Sequence, residues 1–112
     1  MQMQATLEAV AEPARRRIMD LLVAGERPVG ELVAELAMSQ PAVSRHLRVL
    51  REAGLVAART DAQRRLYRVQ PAPLAALDTW LEPYRRMWAE RLDDLERHLD
   101  SMTDDDHSEE EQ

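Results

Sequence analysis

The segment from residue 39 to residue 54 constrains the fold more than any other part of the chain. Apolar residues recur in it at the i, i+4, i+7 spacing of a helix with one buried face: Val43, Leu47 and Leu50. Ser39 stands before this run, where its hydroxyl can accept a hydrogen bond from a free backbone N–H of the first turn. Gly54 follows the run, at the position where helices commonly end in a left-handed residue. The sequence therefore predicts a helix over 39–53 with a polar and basic outer face.

Three shorter helices are predicted before this one, and a hairpin after it. Helical spacing with Pro or Gly boundaries indicates the helices, and two extended runs indicate the strands. The predicted elements are helices at 6–11, 13–24, 29–37 and 39–53 and strands at 55–60 and 65–70. Helix, tight turn at Met38-Ser39, helix and hairpin is the order of a winged helix-turn-helix. We therefore expect a mostly α fold with a small β-hairpin wing over 55–70.

The wing tip departs from the usual hairpin turn. Ala62 follows Asp61 where glycine is common in two-residue turns. Because alanine does not readily adopt a positive φ, we expect a tip wider than two residues.

The C-terminal third is also predicted to be helical. Apolar residues continue at alternating spacings of three and four, and Pro83 interrupts them. This pattern predicts two helices, at about 73–81 and 83–101. Residues 1–102 are expected to form one domain, and residues 103–112 a disordered acidic tail with nothing to bury. The tail is interpreted as a solubilising end, with competition for the basic surface as the alternative.

Charge is distributed unevenly along the chain. The net charge is −6, but residues 1–77 carry 11 Arg against 8 acidic residues, and residues 78–112 carry 4 Arg against 13. Segment 39–70 holds 7 Arg and only 2 acidic residues. A local excess of arginine suits a polyanionic partner, because screening makes the nearby field dominate.

The outer face of helix 39–53 and the wing carry the side chains expected to contact DNA. The major groove admits one α-helix, whose first turns meet the base edges. Gln40 can read adenine, Arg45 can read guanine, and Ser44 can bond to a base or a phosphate. The predicted contact set is Ser39, Gln40, Pro41, Ser44, Arg45, Arg48 and Arg51 on the helix and Arg64, Arg65 and Arg68 on the wing. Within it, the last two helix arginines and the wing arginines are expected to lie against the DNA backbone or in the minor groove.

Two other basic features have a structural interpretation. His46 lies beside the inward stripe and is expected to be packed and hydrogen-bonded, with a phosphate contact as the alternative. Arg15, Arg16 and Arg17 are interpreted as a solvated face with at most one phosphate contact.

Three classes of function are candidates for this sequence. Specific DNA binding fits the arginines and the reading helix. A winged-helix module for protein interaction is the alternative, and the intact basic outer face argues against it. An enzyme is rejected, since we find no nucleophile–base pair, no glycine-rich phosphate loop and no metal cluster. No cofactor is expected.

The run Ser39 to Leu47, followed by Leu50 to Val56, resembles the signature of ArsR/SmtB-type repressors. Glu12 to Ile18 is similar to the opening of that family's second helix, and the resemblance covers about residues 5–100. It implies a homodimeric repressor, paired through its first and last helices and bound to an imperfect palindrome near its own gene. The dimer residues would be Leu7, Leu81, Tyr84, Trp88, Leu92, Leu95 and Leu99. The alternative is that the C-terminal aromatic residues pack on their own domain.

Many members of that family sense metals, and both familiar metal sites are missing here. The resemblance places the thiolate pair at Pro28 and Gly30 and the Asp/His ligands at Pro71 and Pro73, none of which can coordinate a metal through its side chain. The chain therefore resembles the branch without metal ligands. Another site built on Asp94, His98 and His107 is disfavoured against a surface ion pair. The effector is left open: a small molecule in the dimer interface, a partner protein, or none.

Composition gives the expected location. The chain has no cysteine, no apolar stretch of about 20 residues and no basic start followed by an apolar run. We expect a cytoplasmic protein that does not contact membranes.

Overall fold

The structure is a computed structural model that describes the backbone of residues 2–110 and the side chains of residues 2–103. Its elements are α1 (Gln2–Ala11), α2 (Pro13–Val23), β1 (Arg27–Pro28), α3 (Val29–Leu36), α4 (Gln40–Glu52), β2 (Val56–Asp61), β3 (Arg64–Val69) and α5 (Ala72–Glu110). They form two compact units, residues 1–77 and residues 78–112. The mostly helical fold with a small sheet is confirmed. No helix in the described part of the chain is both long and apolar enough to cross a membrane.

The core of the first unit lies where helices α2, α3 and α4 and the start of β2 meet. Each helix contributes the apolar face that its spacing predicts: Ile18 and Leu22, Leu32 and Leu36, and Val43, Leu47 and Leu50 are all buried. Leu55 and Val56 close the core from the wing side. This packing holds the outer face of α4 toward solvent.

The turn between α3 and α4 is short because α3 ends in a left-handed residue. Ala37 has φ 53° and ψ 40°, and its N–H bonds to the Val33 carbonyl. Ser39 then caps α4: its Oγ accepts a hydrogen bond from the Ala42 N–H at 3.3 Å, as predicted. The cap satisfies one of the four free donors at the helix start.

The other end of α4 is a Schellman motif. Gly54 has φ 77°, its N–H bonds to the Arg51 carbonyl, and the Leu55 N–H bonds to the Leu50 carbonyl, both at 2.9 Å. The predicted left-handed glycine is confirmed. Because Leu55 is also buried, the motif fixes the direction in which the chain enters the wing.

The wing is a three-stranded antiparallel sheet in the order β1-β3-β2. Asp61 pairs with Arg64, so the tip contains only two residues. The prediction of a wider tip was wrong, because Ala62 adopts φ 56° at the first turn position, as primed turns require. The ladder on either side holds this alanine in a conformation that costs about 1–2 kcal/mol for a residue with a Cβ.

The third strand, β1, has no counterpart in the sequence prediction. It contains only Arg27 and Pro28, which pair with Tyr67 and Leu66 of β3. A strand of two residues is too short to show the alternation of apolar and polar residues from which strands are predicted. Pro28 is tolerated because β1 is an edge strand, and the same residue stands at the N-cap of α3 without a side-chain cap bond.

Helix α5 is continuous, so the prediction of two helices separated at Pro83 was wrong. Proline removes one N–H donor and strains one turn, but the helix continues on both sides of it. Helix α5 continues to Glu110, beyond the predicted start of the tail at 103. Side chains after Thr103 lie outside the described residues, so the predicted disorder of the tail stays a prediction.

Candidate nucleic-acid interface

The outward face of α4 carries the predicted reading residues. With 3.6 residues per turn, Pro41, Arg45 and Arg48 fall on the side of the helix opposite the buried stripe, and Gln40, Ser44 and Arg51 lie along one edge of that stripe. All are exposed: Gln40, Pro41, Ser44, Arg45, Arg48 and Arg51. Ser39 is exposed as well, although its Oγ is occupied by the cap bond. The structure thus presents a polar, basic helix face on a rigid, buried base.

The second half of this face lies beside the wing. An open cleft of about 530 Å³ is lined by Arg48, Arg51 and Glu52 of α4 and by Val56, Ala57 and Ala58, which belong to β2. The structure therefore brings the two helix arginines next to the first wing strand. Small alanine side chains on the strand leave the cleft open.

The wing arginines of β3 are exposed too. Arg64 lies at the tip, and Arg68 lies near the base of the strand. The Arg65 guanidinium lies 5.8 Å from the centroid of the Tyr67 ring, within the range of a cation–π contact. Because the two residues are two apart on one strand, the ring restricts where this guanidinium can lie.

One arginine of the basic segment is already paired. Arg59 of β2 donates from Nε to Glu26 Oε2 at 2.9 Å and from Nη2 to Glu26 Oε1 at 2.7 Å, a bidentate ion pair. The hydrogen bonds from Arg59 lower the pKa of the Glu26 carboxyl; partial loss of water opposes this, and the charges of Arg59 and Arg68 add to it. Sequence reasoning missed this pair because its members lie 33 residues apart.

Arg15 and Arg16 cap the C-terminus of α1, a role that sequence reasoning missed, although Arg16 and Arg17 are exposed as a solvated face requires. Arg15 and Arg16 donate to the carbonyls of all of the last four residues of α1, which have no partner within the helix. The bonds are Arg15 Nε to Ala9 (2.5 Å), Arg15 Nη2 to Glu8 (3.2 Å), and Arg16 Nη1 to Val10 (2.8 Å) and Ala11 (3.1 Å). A basic residue close to a predicted helix end is the signal that could have revealed them.

Arg15 also reaches the reading helix. Its Nη1 lies 3.4 Å from Nδ1 of His46, which is half-buried on α4. The packed, hydrogen-bonded interpretation of His46 is therefore supported. Arg17 donates to the Glu35 carbonyl near the end of α3 at 3.4 Å. The arginine cluster thus connects α1, α3 and α4 to α2.

Comparison with known proteins assigns the family. The family model described as "Bacterial regulatory protein, arsR family" matches residues 12–58. HTH-type transcriptional regulator Rv2034 of Mycobacterium tuberculosis is 43% identical over 98 residues, which cover 88% of this chain and 89% of that protein. The chain belongs to the ArsR family.

Further similarities agree with that assignment. The biofilm growth-associated repressor of Agrobacterium fabrum is 44% identical over 71 residues, covering 63% of this chain and 61% of that protein. A crystal structure described as a possible transcriptional regulator for arsenical resistance superposes with a TM-score of 0.64 at 44% identity, over 75% of this chain and 93% of that one. This ArsR-family chain is therefore a DNA-binding transcriptional regulator of the winged helix-turn-helix class, a class of regulators and not of enzymes.

Among the residues whose side chains are described, no group of three or more His, Cys, Asp or Glu could hold a metal ion. Asp94 forms an ion pair with Arg97, the surface pairing expected for it. His107, the third member of the alternative site, lies outside the described side chains.

The second unit of this ArsR-family chain presents a long apolar face to solvent. Along α5, apolar side chains are between 44% and 62% exposed in the single chain: Trp80, Tyr84, Met87, Trp88, Leu92, Leu95, Leu99 and Met102. The ring centroids of Trp80 and Tyr84 lie 5.0 Å apart, so the aromatic residues contact each other. Leu81 is half-buried, and Leu7 on α1 is 43% exposed. The predicted dimer residues are thus mostly available for a partner.

Proposed function

We propose that this regulator binds an imperfect palindromic operator as a homodimer and represses transcription, with its own promoter as a target. In each half-site, the N-terminal half of α4 enters the major groove. Gln40, Ser44 and Arg45 meet base edges there. Arg48 and Arg51 contact phosphates, and the wing arginines contact phosphates or the adjacent minor groove.

One observation carries this proposal: apart from Pro41 and Val49, the exposed residues of α4 are polar or charged, while the opposite face of the helix is fully buried. The three inward residues are at most 1% exposed. A helix fixed in this way presents its reading residues without further ordering, which lowers the entropic cost of binding. The exposed arginines on β3 extend the same basic character onto the wing.

The homodimer is supported by the apolar face of α5. Contiguous exposed apolar patches of this kind usually mark an interaction surface. In a two-fold homodimer the same patch on both subunits forms the interface, so no second kind of protein is required. A dimer also matches the two-fold symmetry of a palindrome, with half-sites about one helical turn apart.

The decisive experiment measures binding to the promoter of the chain's own gene and to a scrambled duplex of equal length. Fluorescence anisotropy over a salt series should show a linear fall of log K with log salt, because the released counterions are counted by the slope. The promoter duplex should bind at least about 10³-fold more tightly than the scrambled one. Equal affinity for the two duplexes, or a flat salt response, would remove the operator-binding function and favour the protein-interaction module.

A further inference from the structure

The ion pair between Glu26 and Arg59 spans the width of the wing sheet. Glu26 precedes the edge strand β1, Arg59 lies on the opposite edge strand β2, and β3 runs between them. The bonds are bidentate at 2.9 and 2.7 Å, the strongest geometry available to an arginine and a carboxylate. A guanidinium binds a phosphate in the same bidentate geometry.

A second wing arginine faces the same carboxylate. Glu26 immediately precedes Arg27, which pairs with Tyr67, and Glu26 and Arg68 line the same cleft. Both Arg59 and Arg68 lower the pKa of the Glu26 carboxyl by their charge. The carboxylate therefore carries its negative charge at neutral pH, close to Arg59 and Arg68.

Stability alone does not account for this arrangement. The Arg59 side chain is 52% exposed and that of Glu26 is 25% exposed, and exposed ion pairs contribute little to folding. The pair does determine what Arg59 binds, because an arginine that holds a carboxylate must give up two charge-assisted hydrogen bonds before it can hold a phosphate. Only contacts to phosphate add to sequence-independent affinity.

We propose that Glu26 keeps Arg59 away from DNA phosphates and so limits the sequence-independent part of DNA affinity. By occupying this guanidinium, it lowers affinity for operator and other DNA by the same factor and leaves base contacts from α4 unchanged. This inference rests on the proposed function for its role on an operator. The occupancy of Arg59 itself can be tested on any duplex and on the free protein.

The test compares wild type, Glu26→Gln, Glu35→Gln and the double variant Glu26→Gln/Arg59→Gln on a 30-base-pair scrambled duplex. Glu35→Gln is the matched control, since it removes one exposed carboxylate of α3 for which no side-chain bond is found in the described structure. Glu26→Gln should steepen the slope of log K against log salt by about 0.9 for each phosphate gained. Each such contact strengthens binding about eightfold for every tenfold fall in salt.

The control and the double variant should keep the wild-type slope, and all four proteins should keep the same ratio of promoter to scrambled affinity, because a phosphate contact is made with either duplex. The proposal is overturned if Glu26→Gln matches Glu35→Gln, or if the double variant stays as steep as Glu26→Gln. If wild type binds the promoter no better than the scrambled duplex, the proposed function is overturned instead. The slopes of log K against log salt on the scrambled duplex then still test whether Glu26 occupies Arg59.

A measurement that does not depend on affinity tests the occupancy of Arg59 separately from the proposed operator binding. The side-chain Nε–H resonance of Arg59 in the free protein should shift in Glu26→Gln and not in Glu35→Gln. Addition of the scrambled duplex should leave this resonance unmoved in wild type and should move it in Glu26→Gln. Movement in wild type would show that Arg59 already contacts DNA and would overturn the proposal.

Discussion

Arginine supplies all 15 basic side chains other than histidine, and the structure uses it in three different ways. Arg15 and Arg16 donate to backbone carbonyls at a helix end. Arg59 is held by a carboxylate. Arg45 and Arg64 are exposed on α4 and on the wing tip, and no bond to either is found within the described residues. A count of arginines in the basic segment therefore overstates the number available to DNA.

The two free arginines should differ in what they read. Arg45→Ala should weaken operator binding by about 1–3 kcal/mol and relax discrimination at one base position, because a bidentate contact to guanine is lost. Arg64→Ala should weaken operator and scrambled duplexes by the same factor and reduce the salt slope by about 1. Anisotropy titrations of both variants on both duplexes measure these effects.

Arg91→Ala is the control for that comparison. It removes one exposed arginine of α5, outside the basic segment, and should change neither the slope nor the ratio. If Arg45→Ala left the ratio of operator to scrambled affinity unchanged, the assignment of α4 residues to base edges would be wrong.

At the scale of elements, prediction succeeded where periodicity and end signals agree. Helix α4 combines a serine cap, a three-residue apolar stripe and a terminal glycine, and its bounds match to within one or two residues. Two of the failures share a physical cause. Strand β1 and the Ala62 turn exist because β3 provides a partner, and single-sequence propensity does not contain that tertiary context. Pro83 stays inside α5 although its local preference opposes a continuous helix, and nothing in the structure explains this.

The site divides in the same way. The outward residues of α4 follow directly from the inward ones, because a helix that buries one face must expose the other. The bond between Glu26 and Arg59 could not be derived, since its register depends on the pairing of three strands. The caps from Arg15 and Arg16 are intermediate in predictability, because basic residues near a helix C-terminus are known to bond to its last carbonyls.

The end of α3 offers a test of strain in one element. Ala37 is exposed and left-handed with φ 53°, whereas Ala24 at the end of α2 is exposed with φ −70°. Ala37→Gly should raise the free energy of unfolding by about 0.5–1 kcal/mol, because relief of the αL strain exceeds the added entropy of the unfolded chain. Ala24→Gly should lower it by about 0.5–1 kcal/mol, since only the entropy term remains.

Urea unfolding at equal protein concentration measures both variants. Opposite signs are expected from chemically identical substitutions at two exposed helix ends. A similar loss of stability in both would contradict the strain at Ala37, and with it the account of how the tight turn before α4 is held.

At the scale of the whole molecule, charge follows the division into units. Residues 1–77 have an excess of arginine and residues 78–112 a large excess of acid, and the boundary between the two compact units falls at the same place. An acidic second unit is poorly suited to DNA, so its exposed apolar face needs a different partner. Self-association through that face is the interpretation that also supplies two reading helices for a palindrome.

Leu92→Glu tests this interpretation. Leu92 lies within the apolar face and is 48% exposed in the single chain. In a two-fold interface the change occurs twice, so lost burial alone should cost about 3–6 kcal/mol, or at least about 100-fold in the dimer dissociation constant. Sedimentation velocity should show a monomer at micromolar concentration, and operator affinity should fall by about 10²–10⁴-fold as the two half-sites are no longer linked.

Ala89→Glu introduces the same charge on the same helix but beside the apolar face, at an exposed position. It should sediment as wild type and retain operator binding, because it removes no apolar contact from the face. A Leu92→Glu protein that stays dimeric would place the interface elsewhere and leave the apolar face of α5 to another partner. A monomeric Leu92→Glu protein with full operator affinity would confirm that α5 forms the dimer interface but would show that DNA recognition does not need the dimer. Only the loss of both dimerisation and operator affinity supports a dimer that binds one palindrome.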